Sequence, residues 1–187
     1  SGSWLWDLDL SAESPGYEIN DLGRLGGTDD LSQSSNLRYR QTRRGRFLHN
    51  WDVGFEQFAG WNFGGTNTYN GLELFTNQTH RNFLRSWVEV GINLPAISDD
   101  LTRGGPLMRT YGSQRVGTGI SSRGGARTSW SLSAVVSEGG DGSNSLDVSG
   151  TLVVRPGPRL EVTVNPSYSD GVNARQYVTT RSGGSAA

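Results

Sequence analysis

Residues 4–10 read Trp-Leu-Trp-Asp-Leu-Asp-Leu, and the even positions of this stretch are all apolar. Successive side chains of a β-strand point to opposite faces, so this order predicts a strand with an apolar face and a face that carries Asp7 and Asp9. Similar alternating runs, each followed by a turn, recur nine times between residues 4 and 168. The repeated pattern, and no single motif, decides the fold class.

The whole chain is predicted to be built from these runs. No segment shows a convincing 3.6-residue period, so we predict no helix. The fifth run alternates poorly before Trp87, which suggests a bulge. The fold prediction is all-β: an antiparallel, up-and-down meander of about 9–10 strands. The runs cover about residues 4–10, 33–41, 51–56, 71–74, 80–94, 116–120, 129–136, 146–154 and 160–168, with a shorter tenth at 176–180.

Composition and turn lengths favour a partial transmembrane β-barrel. Only 33% of the 187 residues are hydrophobic, and no apolar run is long enough for a membrane-spanning helix. A barrel needs no such run, because only every second strand residue meets lipid. The predicted connections alternate between long and short, as they do in bacterial outer-membrane barrels. The sequence therefore predicts a location in the bacterial outer membrane, with its lipid as a partner.

A soluble or surface-attached β-sandwich that binds carbohydrate is the alternative. Sandwich strands also alternate and are also joined by glycine-rich turns. In that fold the apolar faces of two sheets would pack against each other, and Trp61 and Tyr69 could stack on sugar rings.

Three stretches together resemble a family of bacterial outer-membrane proteins of unknown function. They are Ser14-Pro-Gly-Tyr-Glu-Ile-Asn-Asp-Leu-Gly23, Leu101-Thr-Arg-Gly-Gly-Pro-Leu-Met108, and Asn165-Pro-Ser-Tyr-Ser169 ahead of Gln176-Tyr-Val178. Members of that family carry an N-terminal domain similar to family-nine carbohydrate-binding modules, followed by a C-terminal β-barrel. The resemblance implies a barrel segment whose partners are the remaining strands of the parent barrel, with carbohydrate binding confined to the missing N-terminal domain.

The ends of the chain suggest an internal piece of such a barrel. No initiator methionine or signal segment begins the chain, and it finishes in Ser-Gly-Gly-Ser-Ala-Ala where a complete barrel is expected to end in a strand with an aromatic residue. We therefore expect residues 1–187 to be a single barrel segment that is incomplete at both ends.

Charged residues on the polar faces of the strands are the candidate ligand-binding residues. In a water-filled lumen such groups set ion preference or hold polar solutes, and they also form ordinary cross-strand ion pairs. The long fifth connection adds Asp99, Asp100 and Arg103, which would lie in a loop able to constrict a lumen. The predicted lumen-facing residues are Asp7, Asp9, Arg38, Arg40, Asp52, Glu56, Glu73, Glu89, Asp147 and Glu161.

Other activities find no support in the sequence. The formal net charge of −1 provides no overall basic character for nucleic acid, and all 17 basic residues are arginine. Cysteine is absent, and the two histidines have no metal-spaced or nucleophilic partner. The aspartate-containing segments 23–30 and 139–144 are predicted to be turns and not calcium sites. We therefore predict no enzyme activity, no cofactor and no metal.

Overall fold

The computed structural model describes residues 2–15, 29–98 and 107–174. This part of the chain forms twelve strands, and it contains no helix that could cross a membrane. The strands are β1 (Gly2–Glu13), β2 (Asp30–Gln41), β3 (Leu48–Trp61), β4 (Asn67–His80), β5 (Arg85–Asn93), β6 (Ile97–Ser98), β7 (Met108–Arg109), β8 (Ser113–Ser121), β9 (Thr128–Gly139), β10 (Asn144–Gly157), β11 (Leu160–Val164) and β12 (Ser167–Val172).

Ten of these strands form one antiparallel sheet in the order β1-β2-β3-β4-β5-β8-β9-β10-β11, with β12 also paired to β10. The prediction of an all-β, antiparallel meander is thus confirmed. The two remaining strands, β6 and β7, pair as a small ribbon within the connection from β5 to β8. The described strands leave the sheet open, since β1 pairs only with β2. Closure into a barrel therefore stays a prediction, and the tenth run at 176–180 lies outside the described residues.

The predicted ninth run is divided into two strands. β11 pairs with the end of β10, while β12 pairs with its beginning, so both lie along one neighbour. The break falls at Asn165 and Pro166, because proline has no amide hydrogen to donate to a ladder. The carbonyl of Pro166 still accepts a hydrogen bond from the Gly150 amide at 2.9 Å.

The predicted bulge in the fifth run is wrong. β4 continues to His80, a turn follows, and β5 begins only at Arg85. The His80 amide donates to the Leu84 carbonyl at 2.8 Å, which closes the turn, and Phe83 has a φ of 65°. The sequence did not predict this turn, because it contains neither glycine nor proline and because left-handed backbone geometry is uncommon for a residue such as phenylalanine.

The alternation of connection lengths is weaker than predicted. The two longest connections, residues 14–29 and 94–112, do lie at the same end of the sheet. However, the other two connections at that end, 62–66 and 140–143, are no longer than 42–47 and 122–127 at the opposite end. The difference arises because several strands extend past the residues whose alternation is clear.

One face of the sheet is apolar and uncovered. Residues directly opposite each other on neighbouring strands share a face, so the pairing register defines a continuous apolar row across eight strands. Only Ala59 and Ala96 are buried hydrophobic residues in the described chain. The ten strands of the main sheet form a single layer. The described residues contain no second sheet packed against its apolar face, as a β-sandwich would require. The row consists of Trp6, Leu37, Phe55, Leu74, Val90, Val116, Val136 and Leu146.

Candidate functional site: a polar cluster on one face of the sheet

The predicted lumen-facing residues all lie on the face opposite the apolar row. The register places Asp7 opposite Asn36, Asn36 opposite Glu56, and Glu56 opposite Glu73. The loop candidates Asp99, Asp100 and Arg103 lie outside the described residues. Six of the candidates fall in the middle of the sheet and the others near its edges. The central six are Arg38, Arg40, Asp52, Glu56, Glu73 and Glu89.

We refer to a group of side chains on β2, β3, β4, β5 and β8 as the central polar cluster. A cavity of about 330 Å³ lies within it. The cluster combines carboxylates, guanidinium groups, amides and two aromatic rings. It therefore offers hydrogen-bond donors, acceptors and ring faces to a polar solute. Its members are Asn36, Arg38, Asp52, Glu56, Glu73, Phe75, Asn77, Trp87, Glu89 and Arg115.

Ion pairs and amide hydrogen bonds neutralise part of this cluster. Arg115 pairs with Glu89, and the Arg38 Nε lies 4.0 Å from the Asp52 Oδ1, which is an electrostatic contact too long for a hydrogen bond. The Asn77 amide donates to Asp52 at 3.0 Å. Because these side chains are partly exposed, each ion pair contributes about 1 kcal/mol or less.

Glu56 and Glu73 form an unneutralised pair of like charges. They are direct cross-strand partners on β3 and β4, and no arginine in the described part of the chain forms an ion pair with either of them. The Asn36 amide reaches Glu56 with a long hydrogen bond of 3.4 Å. Directly opposed like charges destabilise a sheet by roughly 0.2–1 kcal/mol, so this pair has a small folding cost.

Replacing Glu73 with glutamine should therefore stabilise the sheet. We expect the free energy of unfolding to rise by about 0.2–1 kcal/mol at neutral pH, because one of the two facing charges is removed. Urea unfolding of the E73Q variant in detergent micelles measures this gain. E56Q should give a smaller gain, because Glu73 is also repelled by Glu89, diagonally opposite it on β5. Adding E56Q to E73Q should give little more than E73Q alone, and two fully additive gains would contradict the repulsion between Glu56 and Glu73.

Aromatic rings on this face lie against glycines of neighbouring strands. A Cβ atom built on Gly54 would come within 2.3 Å of the Phe75 ring, and one on Gly119 would come within 2.4 Å of the Trp87 indole. Glycine thus leaves space for each ring to lie flat on the backbone, an arrangement that compensates for glycine's poor strand-forming tendency. The Arg38 guanidinium lies 5.0 Å above the Phe75 ring, within cation–π distance.

Sequence reasoning missed these aromatic residues as parts of the site. Phe75 follows Leu74, so strand alternation already assigns it to the polar face. The contact of its ring with Gly54 depends on the register between β3 and β4, which the sequence alone does not predict. The same applies to Arg115, which meets Glu89 only because β5 pairs with β8.

The other charged candidates are not part of the cluster. Arg40 lies opposite Asp52 on β3 but outside the cluster. Asp7 and Asp9 lie on the exposed edge strand β1. Asp147 accepts a hydrogen bond from the Ser169 hydroxyl at 2.6 Å, and Glu161 pairs with Arg155 at 2.7 Å. These contacts join β10 to β12 and β10 to β11.

Asp29 and Asp141, from the two aspartate-containing segments, have local hydrogen-bond partners, and the sugar-stacking pair does not form; residues 23–28 of the first segment lie outside the described residues. Asp29 accepts a hydrogen bond from the Phe63 amide at 2.7 Å, and Asp141 accepts one from the Ser143 amide at 3.0 Å. No group of three or more histidine, aspartate or glutamate side chains suitable for a metal occurs in the described ranges. Tyr69 lies over Gly60, whereas Trp61 is the next residue along β3 and falls on the other face, so Trp61 and Tyr69 do not form one stacking platform.

Comparisons with known proteins add no relative. No protein-family model, curated protein or solved structure matches this chain. The family resemblance therefore stays an expectation from the sequence.

Proposed function

We propose that this chain is a structural or transport segment of a bacterial outer-membrane β-barrel, serving a passive channel or a scaffold for surface display, without catalysis. Its apolar face would meet lipid, and its polar face would line a water-filled interior. The free edges of the sheet would pair with the remaining strands of the parent barrel. Carbohydrate binding, if any, would belong to a domain outside this chain.

The exposure of the apolar face is the observation that carries this proposal. Val90, in the middle of β5, is 40% exposed although both of its cross-strand neighbours are apolar. Large exposed apolar patches on a folded chain mark sites of contact with another protein or with a membrane. A lipid bilayer would cover this one over all the strands of the sheet at once.

Strand length and the polar face also support the proposal. β5 and β8 have 9 residues each, and β3 and β4 have 14. A tilted strand needs about 9–11 residues to cross the hydrocarbon core, so each of these strands is long enough. The central polar cluster is typical of an interior in contact with water, since ionised groups are costly where water is absent.

Cell fractionation and trypsin accessibility test the proposal. We expect the full-length parent protein, expressed in a Gram-negative host, to sediment with the outer membrane. Trypsin added to whole cells should cleave at Arg103, in the longest connection. The internal control is the arginine-rich turn 42–47 at the opposite end, which should be cut only after the outer membrane is opened. Recovery of the protein in the soluble periplasm, or cleavage of both ends in intact cells, would contradict the proposed topology.

A further inference from the structure

The arginines of the described chain are concentrated at one end of the sheet. Three turns at this end, together with Arg85 directly after the second of them, contain no aspartate or glutamate. We call residues 42–47, 81–85 and 122–127 the arginine-rich end. It holds Arg43, Arg44, Arg46, Arg81, Arg85, Arg123 and Arg127, all of them exposed.

These turns form one continuous surface. The Arg81 amide donates to the Phe47 carbonyl at 3.1 Å, which joins the first turn to the second. The guanidinium of Arg123 lies 5.2 Å above the Phe83 ring, which joins the second turn to the third. The formal net charge of −1 conceals this concentration, because no acidic residue lies within these three turns. Glu161, beside the fourth turn at this end, forms an ion pair with Arg155.

No carboxylate of the described residues forms an ion pair with an arginine of the arginine-rich end. Within the described ranges, ion pairs involve only Arg38, Arg115 and Arg155, none of which belongs to these turns. The opposite end of the sheet is acidic. Glu13, Asp30 and Glu138 lie there, at or next to the ends of their strands. Basic side chains held together without counter-charges favour an anionic partner.

Exposed aromatic residues accompany the arginines. Phe47 is 72% exposed, and Trp4, Tyr39 and Trp51 form a ring cluster on the apolar face nearby, with centroid separations of 5.1 and 5.6 Å. A cavity of about 550 Å³ is lined by three arginines of the first turn together with Phe47 and Trp51. Aromatic rings beside basic residues are typical of the boundary between headgroups and hydrocarbon in a membrane.

We propose that the arginine-rich end binds the phosphate groups of an anionic phospholipid leaflet. The guanidinium groups would pair with headgroup phosphates, while the neighbouring aromatic rings would lie at the level of the upper acyl chains. This inference rests on the proposed function and adds that the arginine-rich end of the segment prefers anionic lipid.

Vesicle flotation of the 187-residue chain tests the inference. Urea-unfolded chain is diluted into vesicles of phosphatidylcholine alone or with phosphatidylglycerol. We expect stronger association with the anionic vesicles at low salt, and the R43Q/R44Q variant should associate about tenfold less with them. Its association with neutral vesicles should stay within about twofold of the parent chain's. About 1 M salt should remove the advantage of anionic vesicles, because screening then acts over about 3 Å.

A charge-compensated variant separates local from overall charge. Adding E13Q and D30N to R43Q/R44Q removes two negative and two positive charges, so the net charge stays at −1. We expect this variant still to associate weakly with anionic vesicles. Recovery of full association would show that only net charge matters and would overturn the inference.

The test also distinguishes failure of the inference from failure of the proposed function. Equal association with neutral and anionic vesicles would overturn the inference and leave the membrane segment standing. Absence of association with either kind of vesicle would overturn both. The salt titration uses the unaltered chain, so a variant that fails to fold does not obscure the result.

Discussion

Replacing Val90 with arginine should lower the stability of the vesicle-inserted chain by about 2–4 kcal/mol, because the proposed function places Val90 in the middle of a lipid-facing surface, where a charge would lose its hydration. Val90 lies at the centre of β5, between Leu74 on one neighbouring strand and Val116 on the other. Urea unfolding of the chain inserted in lipid vesicles measures the change. The expected effect is large because the guanidinium has no polar partner on this face within its row.

Val135 supplies a matched control on the opposite face. It lies in the middle of β9, with Gly117 and Asp147 as its cross-strand partners. An arginine there would face water and could pair with Asp147, so V135R should cost about 1 kcal/mol or less. Equal costs for V90R and V135R would contradict the assignment of lipid and water to the two faces.

Replacing Gly54 with alanine should cost about 1–3 kcal/mol, because the added methyl group would occupy the space of the Phe75 ring. The three nearest atoms to a Cβ at this position all belong to Phe75, at 2.3–2.8 Å. The ring would have to leave its place on the backbone, and its cation–π contact with Arg38 would be lost. Urea unfolding in micelles measures the loss of stability.

Two further variants identify the cause. Gly157 is also a strand glycine, but a Cβ atom there would meet nothing within 4 Å, so G157A should be close to neutral. Combining G54A with F75A should cost less than the sum of the two single changes, since the clash disappears with the ring. Additive costs would show that G54A acts through the backbone and not through Phe75.

The central polar cluster shows what strand alternation predicts and what it does not. Alternation alone correctly assigns Asp52, Glu56 and Glu73 to one face, since the direction of a side chain along a strand is a local property. It does not reveal that Glu56 faces Glu73, because that pairing depends on the register between β3 and β4. The turn at Phe83 was missed for a related reason. Its geometry is fixed by hydrogen bonds from the His80 amide to the Leu84 carbonyl and from the Phe83 amide to the His80 carbonyl, and it contains no glycine or proline.

The sequence by itself determined that this chain is all-β and which side chains share a face within each long strand, because both follow from a two-residue period that the long strands carry locally. Only the tertiary structure decided which charges meet, which rings cover which glycines, and that distant arginines gather at one end. Gly54 and Phe75, or Phe83 and Arg123, lie far apart in the chain and are brought together by strand pairing. Strand pairing depends on hydrogen bonds between segments, whose register no single segment can fix.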